Sequence, residues 1–299
     1  MAVSADQEHS MLHRKPRILV VGSFVMDVIA TTEQIPGAGQ TVYGKSFHMA
    51  PGGKGANQAL QCARLGAEVT MVGCVGDDLF GQQLLEPLRE AGMDVSHVVV
   101  RKGIHSGVGH VVLEVTEHSA QNRIVVIPGA NRTLTVEEVA WIQQAVSGFD
   151  MVLLQLEVPI EVNRAVARWA REAGVPVIAD IKRGDIAKTA EMYAMGHFTG
   201  DFESDFVTLA PYMGLDSISP YLPYAEKQGK GMFVLCRTSN GGAKDFEYEK
   251  LADGRHVYDL VGDKLNALGK DYMGEHGRSE APISRKPPRS AQSIRTASS

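Results

Sequence analysis

Cysteine is scarce in this sequence, which has three in 299 residues: Cys62, Cys74 and Cys236. An odd number of widely spaced cysteines excludes a disulfide framework and offers no metal-ligand spacing. Long apolar runs are also absent, since none reaches the roughly 18 residues that a transmembrane helix needs. The first 17 residues lack the apolar core of a signal peptide, so we expect a cytoplasmic protein that does not contact a membrane.

Neither sign of charge is in large excess, because 30 Lys and Arg stand against 35 Asp and Glu. The resulting net charge of -5 gives no electrostatic footprint for nucleic acid, so we expect no nucleic-acid partner. The partner expected from the motifs described below is a small molecule. A content of 44% hydrophobic and 22% charged residues is typical of globular proteins and excludes a collagen-like or wholly disordered chain.

Short β-branched runs alternate with segments of helical periodicity along most of the chain, which predicts an α/β fold with a parallel sheet. Thr135 and Glu138 form a capping box that predicts a helix start. The predicted strands are 17–22, 41–49, 69–75, 98–101, 107–114, 123–127, 151–156, 175–179, 206–209 and 232–237. The predicted helices are 56–65, 81–91, 135–146, 161–173, 186–195, 218–226 and 256–272.

Two motifs near the start of the chain suit a sugar ligand. Asp27 follows the first predicted strand, and an ionised carboxylate can accept hydrogen bonds from two vicinal hydroxyls. The run 52–58, GGKGANQ, places bare backbone, a cation and an amide at the start of a helix. The alternative reading is that the glycines form a turn and that Asp27 is a cap.

Taken together, these motifs resemble the ribokinase-like (PfkB) family of sugar and nucleoside kinases over residues 17–178. The resemblance implies a ribokinase-like parallel sheet with a small β lid, and ATP and Mg as cofactors. It also implies sugar contacts from Asp27, Gly53, Lys54, Asn57 and Glu157. The matching segments are GSFVMD, IPGAGQTV, PGGKGANQA, VGCVGDDLFG, 107–114, IPGAN and LLQLEVP.

The resemblance has two departures. Ribokinases proper carry Asn where this chain has Val25, so the resemblance does not single out ribose. The Gly-Ala-Gly-Asp loop that carries the family's catalytic base is absent, and the segments that bind the nucleotide are not recognisable. We therefore predict a sugar-binding part whose C-terminal ATP-binding and catalytic part is missing, with no recognisable site for ATP and Mg.

A second constellation lies at 180–185, DIKRGD, which concentrates acids and bases. Residues two apart on a strand share one face, so Asp180 and Lys182 are predicted to point the same way, with Asp185 in the next loop. Such clusters perturb one another's protonation and occur at functional sites. A surface salt bridge beside a helix cap is the alternative.

This second region resembles orotidine 5′-phosphate decarboxylase, in its bacterial second subgroup, over about residues 176–274. The resemblance implies a TIM barrel, no cofactor and a homodimer. It further implies that Asp180 repels the substrate carboxylate, that Lys182 protonates C6, and that Asp185, with Thr189 near it, serves the partner's site. Ser239 would contact the pyrimidine. The matching segments are DIKRGDIAKTAEMYA, HFTGDFESDFVTLAPYMGLDSISPYL and GKGMFVLCRTSNGGAKDFEY.

The predicted organisation is thus a chimera of two incomplete parts. Residues 1–16 form a disordered N-terminus, 17–178 the kinase-like part, 176–276 a partial barrel segment, and 277–299 a disordered basic tail. A TIM barrel takes roughly 250 residues, so this segment cannot close one alone. Three functions stay open: decarboxylation by the Asp-x-Lys-x-x-Asp motif, a kinase or sugar-binding module, and a fusion without catalytic function.

Overall fold

The computed structural model describes residues 14–116, 120–238, 240, 242–272 and 294–298, with the backbone only for 120 and 294–298. Its strands form two sheets. The strands of the larger sheet are β1 (Arg17–Val21), β4 (Glu68–Gly76), β5 (Val98–Arg101), β8 (Met151–Gln155), β9 (Val177–Arg183), β10 (Phe206–Leu209), β11 (Gly231–Arg237) and β12 (Ile294–Ser298). All neighbouring pairs are parallel, in the order β12-β11-β10-β9-β8-β1-β4-β5.

The smaller sheet contains β2 (Val25–Thr32), β3 (Gly44–Gly52), β6 (Gly107–Val115) and β7 (Ala120–Ile127). Its order is β3-β2-β6-β7, with β2 and β6 parallel and the outer pairs antiparallel. This sheet is the predicted β lid. It confirms the expected fold class of a parallel α/β sheet with a small additional sheet.

Eight helices are described. They are α1 (Lys54–Arg64), α2 (Leu79–Glu90), α3 (Ile142–Ala145), α4 (Ile160–Ala173), α5 (Ala187–Phe198), α6 (Leu222–Gln228), α7 (Ala243–Phe246) and α8 (Val257–Lys270). Helix α4 ends at Gly174 in the left-handed conformation, and the Val175 N–H donates to the Ala170 carbonyl over 2.8 Å. This glycine C-cap turns the chain directly into β9.

Strand β9 joins the two parts of the chain into one sheet. On one side it pairs with β8, from Val152↔Val177 to Gln155↔Asp180, and on the other with β10. Val177 packs in a core with Leu19 and Trp169, whereas Ala179 packs in a second core with Phe198. The decarboxylase-like segment therefore contributes β/α units to an open sheet, and its described strands do not curl into a barrel.

Three local predictions differ from the structure. The sequence predicts no strand over residues 25–32, but they form β2, because pairing with β3 and β6 satisfies their backbone groups. The alternation of residues 98–101 predicts a strand of an exposed sheet, but they form β5, which pairs with β4 in the parallel sheet. The capping box does form, with the Thr135 N–H 3.0 Å from Glu138 Oε2, but turns follow it and the helix covers only α3.

The two chain ends also differ in part from the expected disorder. Residues 1–13 lie outside the described residues, but Arg14 forms an ion pair with Asp150 at 2.7 Å, and the Glu68 N–H donates to the Pro16 carbonyl. In the basic tail, residues 294–298 form β12, which pairs with β11. An edge strand offers unpaired backbone groups, and β-branched Ile and Thr favour the extended conformation.

Lys230 is 3% exposed and fastens β11 to the loop that precedes β10. Its ammonium lies 2.8 Å from Glu203 and 3.1 Å from Asp205, and it donates to the Ser204 carbonyl over 2.9 Å. A buried cation with two carboxylates and a carbonyl has its hydrogen bonds satisfied, but each partner depends on the others.

We expect Lys230→Met to lower the free energy of unfolding by about 3 kcal/mol or more, because it removes the buried ammonium from the largely buried carboxylates of Glu203 and Asp205. Denaturant unfolding measures this change. Lys188→Met is the matched control: Lys188 forms an exposed ion pair with Glu191 on one helix, so its loss costs under about 1 kcal/mol. Equal effects of the two substitutions would contradict this assignment.

Candidate functional site

Polar side chains from the kinase-like part and from the decarboxylase-like part lie at one edge of the larger sheet. Ser23 follows β1, Glu157 follows β8, and Asp180 and Lys182 lie near the end of β9. The carboxyl ends of parallel strands face the same way, and ligands of open α/β sheets bind there, where the strand order reverses. Here the reversal is at β1, which has β4 on one side and β8 on the other.

Glu157 is at the centre of the first group of contacts. Its carboxylate forms an ion pair with Lys54 at the start of α1 and accepts a hydrogen bond of 2.5 Å from the Ser23 hydroxyl. Burial raises the pKa of Glu157, but the hydrogen bonds from Lys54 and Ser23 outweigh it, so its pKa lies below the ordinary value. Glu157 is therefore an anion at neutral pH.

The glycines of the GGKG run allow α1 to start against the backbone that follows β1. Gly53 has a φ of 100°, and a Cβ there would lie 2.7 Å from both the Ser23 carbonyl oxygen and the Val25 nitrogen. A Cβ on Gly55 would lie 2.6 Å from the Ser23 nitrogen. Only glycine leaves room for these contacts. The glycines of the motif therefore let the N-terminus of α1 pack directly against the backbone that follows β1.

Asp27 lies on β2 of the lid sheet, whereas the sequence predicts only that it follows the first strand. A Cβ on Gly52 would lie 3.1 Å from Asp27 Oδ2 and 3.8 Å from Asn57 Nδ2, and one on Gly109 would collide with Asp27 Oδ1. Asp27 and Asn57 therefore approach the same small space. Burial, and then the charge of Glu157, raise the pKa of Asp27 above its ordinary value.

Asp180 and Lys182, which the sequence predicts to point the same way, form an ion pair. The side chain of Asp180 is 7% exposed and that of Lys182 is 45% exposed, so the ammonium reaches solvent while the carboxylate does not. Asp180 Oδ1 accepts a hydrogen bond of 2.7 Å from the Thr208 hydroxyl, and Oδ2 accepts one of 2.8 Å from Gln58 Nε2. Three donors thus converge on this carboxylate.

The backbone at Lys182 departs from a regular strand. Its φ of 46° lies in the left-handed region, and the pairing of β9 with β10 shifts register beside it. The backbone N–H of Lys182 donates a hydrogen bond of 2.8 Å to the Thr208 hydroxyl, and that hydroxyl donates a hydrogen bond to Asp180. A bulge of this kind re-aims a side chain at a strand end, here bringing Lys182 onto Asp180.

The other predicted decarboxylase residues are not joined to this pair. Asp185 Oδ1 accepts from the Ile186 N–H over 2.8 Å at the start of α5, and Thr189 is exposed on that helix. Across the described hydrogen bonds and ion pairs, neither residue contacts Asp180 or Lys182. Ser239 lies outside the described residues.

Gln58, Gln155 and Thr208 contact the charged pair, or each other, without having been predicted. Gln58 lies inside the PGGKGANQA motif, and Gln155 pairs with Asp180 across β8 and β9. Their neighbourhood depends on which strands lie side by side. No spacing in the sequence carries that information.

The described residues contain neither a helix that could cross a membrane nor a cluster of metal ligands. No helix in those ranges has the length and apolar character that crossing a bilayer requires. Within the same ranges, no three His, Cys, Asp or Glu side chains come together in a way that could hold a metal ion. The missing ATP and Mg site stays a prediction from the sequence.

Comparison with known proteins gives matches to two families. The model of the pfkB family carbohydrate kinases matches residues 15–205, and that of the orotidine 5′-phosphate decarboxylase / HUMPS family matches residues 131–282. Each match covers more than half of the chain. The two overlap over 131–205, the region that contains β8, α4 and β9.

Curated relatives are similar to the second part. The orotidine 5′-phosphate decarboxylase of Clostridium perfringens strain SM101 is 62% identical over 120 residues, which are 40% of this chain and 42% of that protein. That of Clostridium acetobutylicum is 62% identical over 106 residues, 36% of this chain and 37% of the relative. The chain thus spans about two fifths of the length of the curated relatives that it matches.

Solved structures of two ribokinases are similar to this fold. The Arabidopsis thaliana ribokinase complexed with ribose and ATP aligns with a TM-score of 0.56 and 27% identity, over 70% of this chain and 63% of that one. Ribokinase from Thermotoga maritima aligns with a TM-score of 0.56 and 22% identity, over 74% of this chain and 72% of that one, and supports the fold alone. The chain therefore belongs to the pfkB carbohydrate kinase family over its first part and to the orotidine 5′-phosphate decarboxylase / HUMPS family over its second, and is a chimera of the two.

Proposed function

We propose that the chain decarboxylates orotidine 5′-phosphate at the pair formed by Asp180 and Lys182. The bond between C6 and the substrate carboxylate breaks, carbon dioxide leaves, and the electron pair stays on C6. The Lys182 ammonium then donates a proton to C6, which yields uridine monophosphate. The reaction needs no cofactor. The 62% identity to a decarboxylase of Clostridium perfringens supports this assignment.

The observation that carries the proposal is the arrangement of donors around Asp180. Gln58, Thr208 and Lys182 all donate to its carboxylate, so the anion is fixed before substrate arrives. A fixed anion repels the substrate carboxylate and favours its departure as neutral carbon dioxide, while the neighbouring ammonium stabilises charge that develops on C6. The exposed ammonium of Lys182 is the accessible proton donor.

We further propose a homodimer, following the resemblance. Asp185 and Thr189 lie at the start of α5, outside the contacts of their own Asp180–Lys182 pair, which suits a contribution to the site of a second copy. Ser239 would contact the pyrimidine.

Lys182→Ala is expected to lower the formation of uridine monophosphate from orotidine 5′-phosphate at least 100-fold, because the proton donor is lost. Chromatography of the product measures the rate. Lys188→Ala, at an exposed lysine of α5, is the matched control and should retain the parent rate. A parent chain without measurable product would refute the proposal.

A second function has its own observation. We propose that Asp27 and Asn57 bind the hydroxyls of a sugar or ribonucleoside, because Asp27 Oδ2 and Asn57 Nδ2 approach the same small space beside Gly52, and Gly52 and Gly109 leave room for the Asp27 carboxylate there. Lys54 and Glu157 border the same edge as an ion pair, with Gly53 at the helix start. The similar ribokinase of Arabidopsis thaliana is complexed with ribose and ATP.

Asp27→Asn is expected to weaken binding of ribose or uridine at least tenfold, because an amide replaces one acceptor oxygen with a donor. Calorimetry on the full chain measures the affinity. Asp201→Asn, at an exposed aspartate far along the chain, is the control and should leave the affinity unchanged. No heat with either ligand in the parent would refute the sugar site.

The same site predicts a pH dependence. Burial and the charge of Glu157 raise the pKa of Asp27, so the carboxylate takes up its proton at a higher pH than an ordinary aspartate. As the pH falls, sugar affinity should therefore decline with a midpoint above the ordinary value of 3.8. Calorimetry between pH 7 and the acid limit of folding, followed by circular dichroism, tests this midpoint. A midpoint at or below 3.8 would contradict it.

A further inference from the structure

Two glutamine side chains form a relay that leads from the kinase-like part to the charged pair. Gln155 Nε2 donates a hydrogen bond of 2.6 Å to Gln58 Oε1, and Gln58 Nε2 donates one of 2.8 Å to Asp180 Oδ2. Gln155 is 1% exposed and ends β8, while Gln58 lies in the first turns of α1. The relay thus crosses from the helix of one family to the strand of the other.

The relay has one chemically consistent direction. An ionised carboxylate only accepts hydrogen bonds, so Gln58 must turn its NH₂ group toward Asp180 and its carbonyl oxygen toward Gln155. Gln155 must then present its own NH₂ group to that oxygen. Asp180 therefore sets the orientation of both amides, and they in turn hold the carboxylate.

Packing fixes the two amides in place. A Cβ on Gly22 would collide with Gln155 Oε1 and would lie 2.8 Å from the Gly55 Cα, so β1, β8 and α1 meet without space between them. The backbone carbonyl of Gln155 accepts a hydrogen bond of 2.7 Å from Asn163 Nδ2, which anchors the end of β8 to α4. The side chain that donates to Gln58, Gln155, is therefore held in place by its neighbours.

We propose that Gln58 is the positioning residue of Asp180, an inference that rests on the decarboxylation proposed above. Asp180 Oδ2 accepts hydrogen bonds from both Gln58 and Lys182, and Oδ1 accepts one from Thr208. Without Gln58, Oδ2 of Asp180 accepts a hydrogen bond from the Lys182 ammonium alone. The ammonium is then held on Asp180, and the carboxylate can rotate away from the orientation in which it repels the substrate.

The neutrality of Gln58 is a second part of its contribution. Asp180 and Lys182 together carry no net charge, and an amide adds a donor without changing that balance. A carboxylate at the same position adds a second anion and deters an anionic substrate such as orotidine 5′-phosphate. Loss of the donor and addition of charge therefore affect different kinetic constants.

The kinetic test compares three substitutions in the full chain. Gln58→Leu should lower kcat for decarboxylation about tenfold or more and leave KM within about twofold, because it removes a hydrogen bond to a charged group and no charge. Gln58→Glu should in addition raise KM severalfold, through repulsion. Gln61→Leu is the matched control: Gln61 is exposed on the same helix and should change neither constant.

A nuclear magnetic resonance test does not depend on turnover. The side-chain amide signals of Gln58, assigned by their loss in Gln58→Leu, should shift in Asp180→Ala, because the carboxylate acceptor is gone. The signals of Gln61 should stay in place. Unmoved Gln58 signals would overturn the proposal, and so would an unchanged kcat in Gln58→Leu. A parent without turnover would refute decarboxylation, and the amide shift alone would then decide whether Gln58 holds Asp180.

Discussion

The parallel pairing of β8 with β9 is the interaction on which the rest of this structure depends. Four residue pairs, from Val152↔Val177 to Gln155↔Asp180, join a strand of the kinase-like part to the strand that carries the decarboxylase motif. Backbone hydrogen bonds are the same for every sequence, so strands of different families can pair if both faces are apolar. The Gly174 C-cap delivers the chain into that pairing at the correct edge.

One consequence of this pairing is chemical. All strands of the larger sheet run in the same direction, so the ends of β1, β8 and β9 face one side together. The ion pair of Glu157 with Lys54 and that of Asp180 with Lys182 therefore lie at the same edge of the sheet, and hydrogen bonds from Gln155 to Gln58 and from Gln58 to Asp180 reach the second pair. In this chimera, α1 of the kinase-like part supplies a donor to the charged pair of the decarboxylase-like part.

In the second part, β/α units of a barrel-type family are added to the open parallel sheet of the first part. Its strands β10 and β11 add to the open sheet, and a core around Phe198, Tyr221 and Leu265 covers them. The buried Lys230, paired with Glu203 and Asp205, ties these strands together beneath that core. Each β/α unit needs an adjacent strand and a covering helix, and an open sheet provides both.

The sequence alone determined the strand and helix alternation and the two resemblances, because these follow from local periodicity and from short motifs. It also predicted that Asp180 and Lys182 point the same way, but the left-handed backbone at Lys182 is what brings the two side chains into contact. It predicted no strand over residues 25–32, which include Asp27, since their pattern does not reveal that β3 and β6 flank them. It gave no sign of the bonds from Gln58 and Thr208 to Asp180. Those contacts join residues 122 and 28 positions apart. Only the order of the strands in the sheet decides which distant side chains meet, and so the tertiary structure alone placed them together.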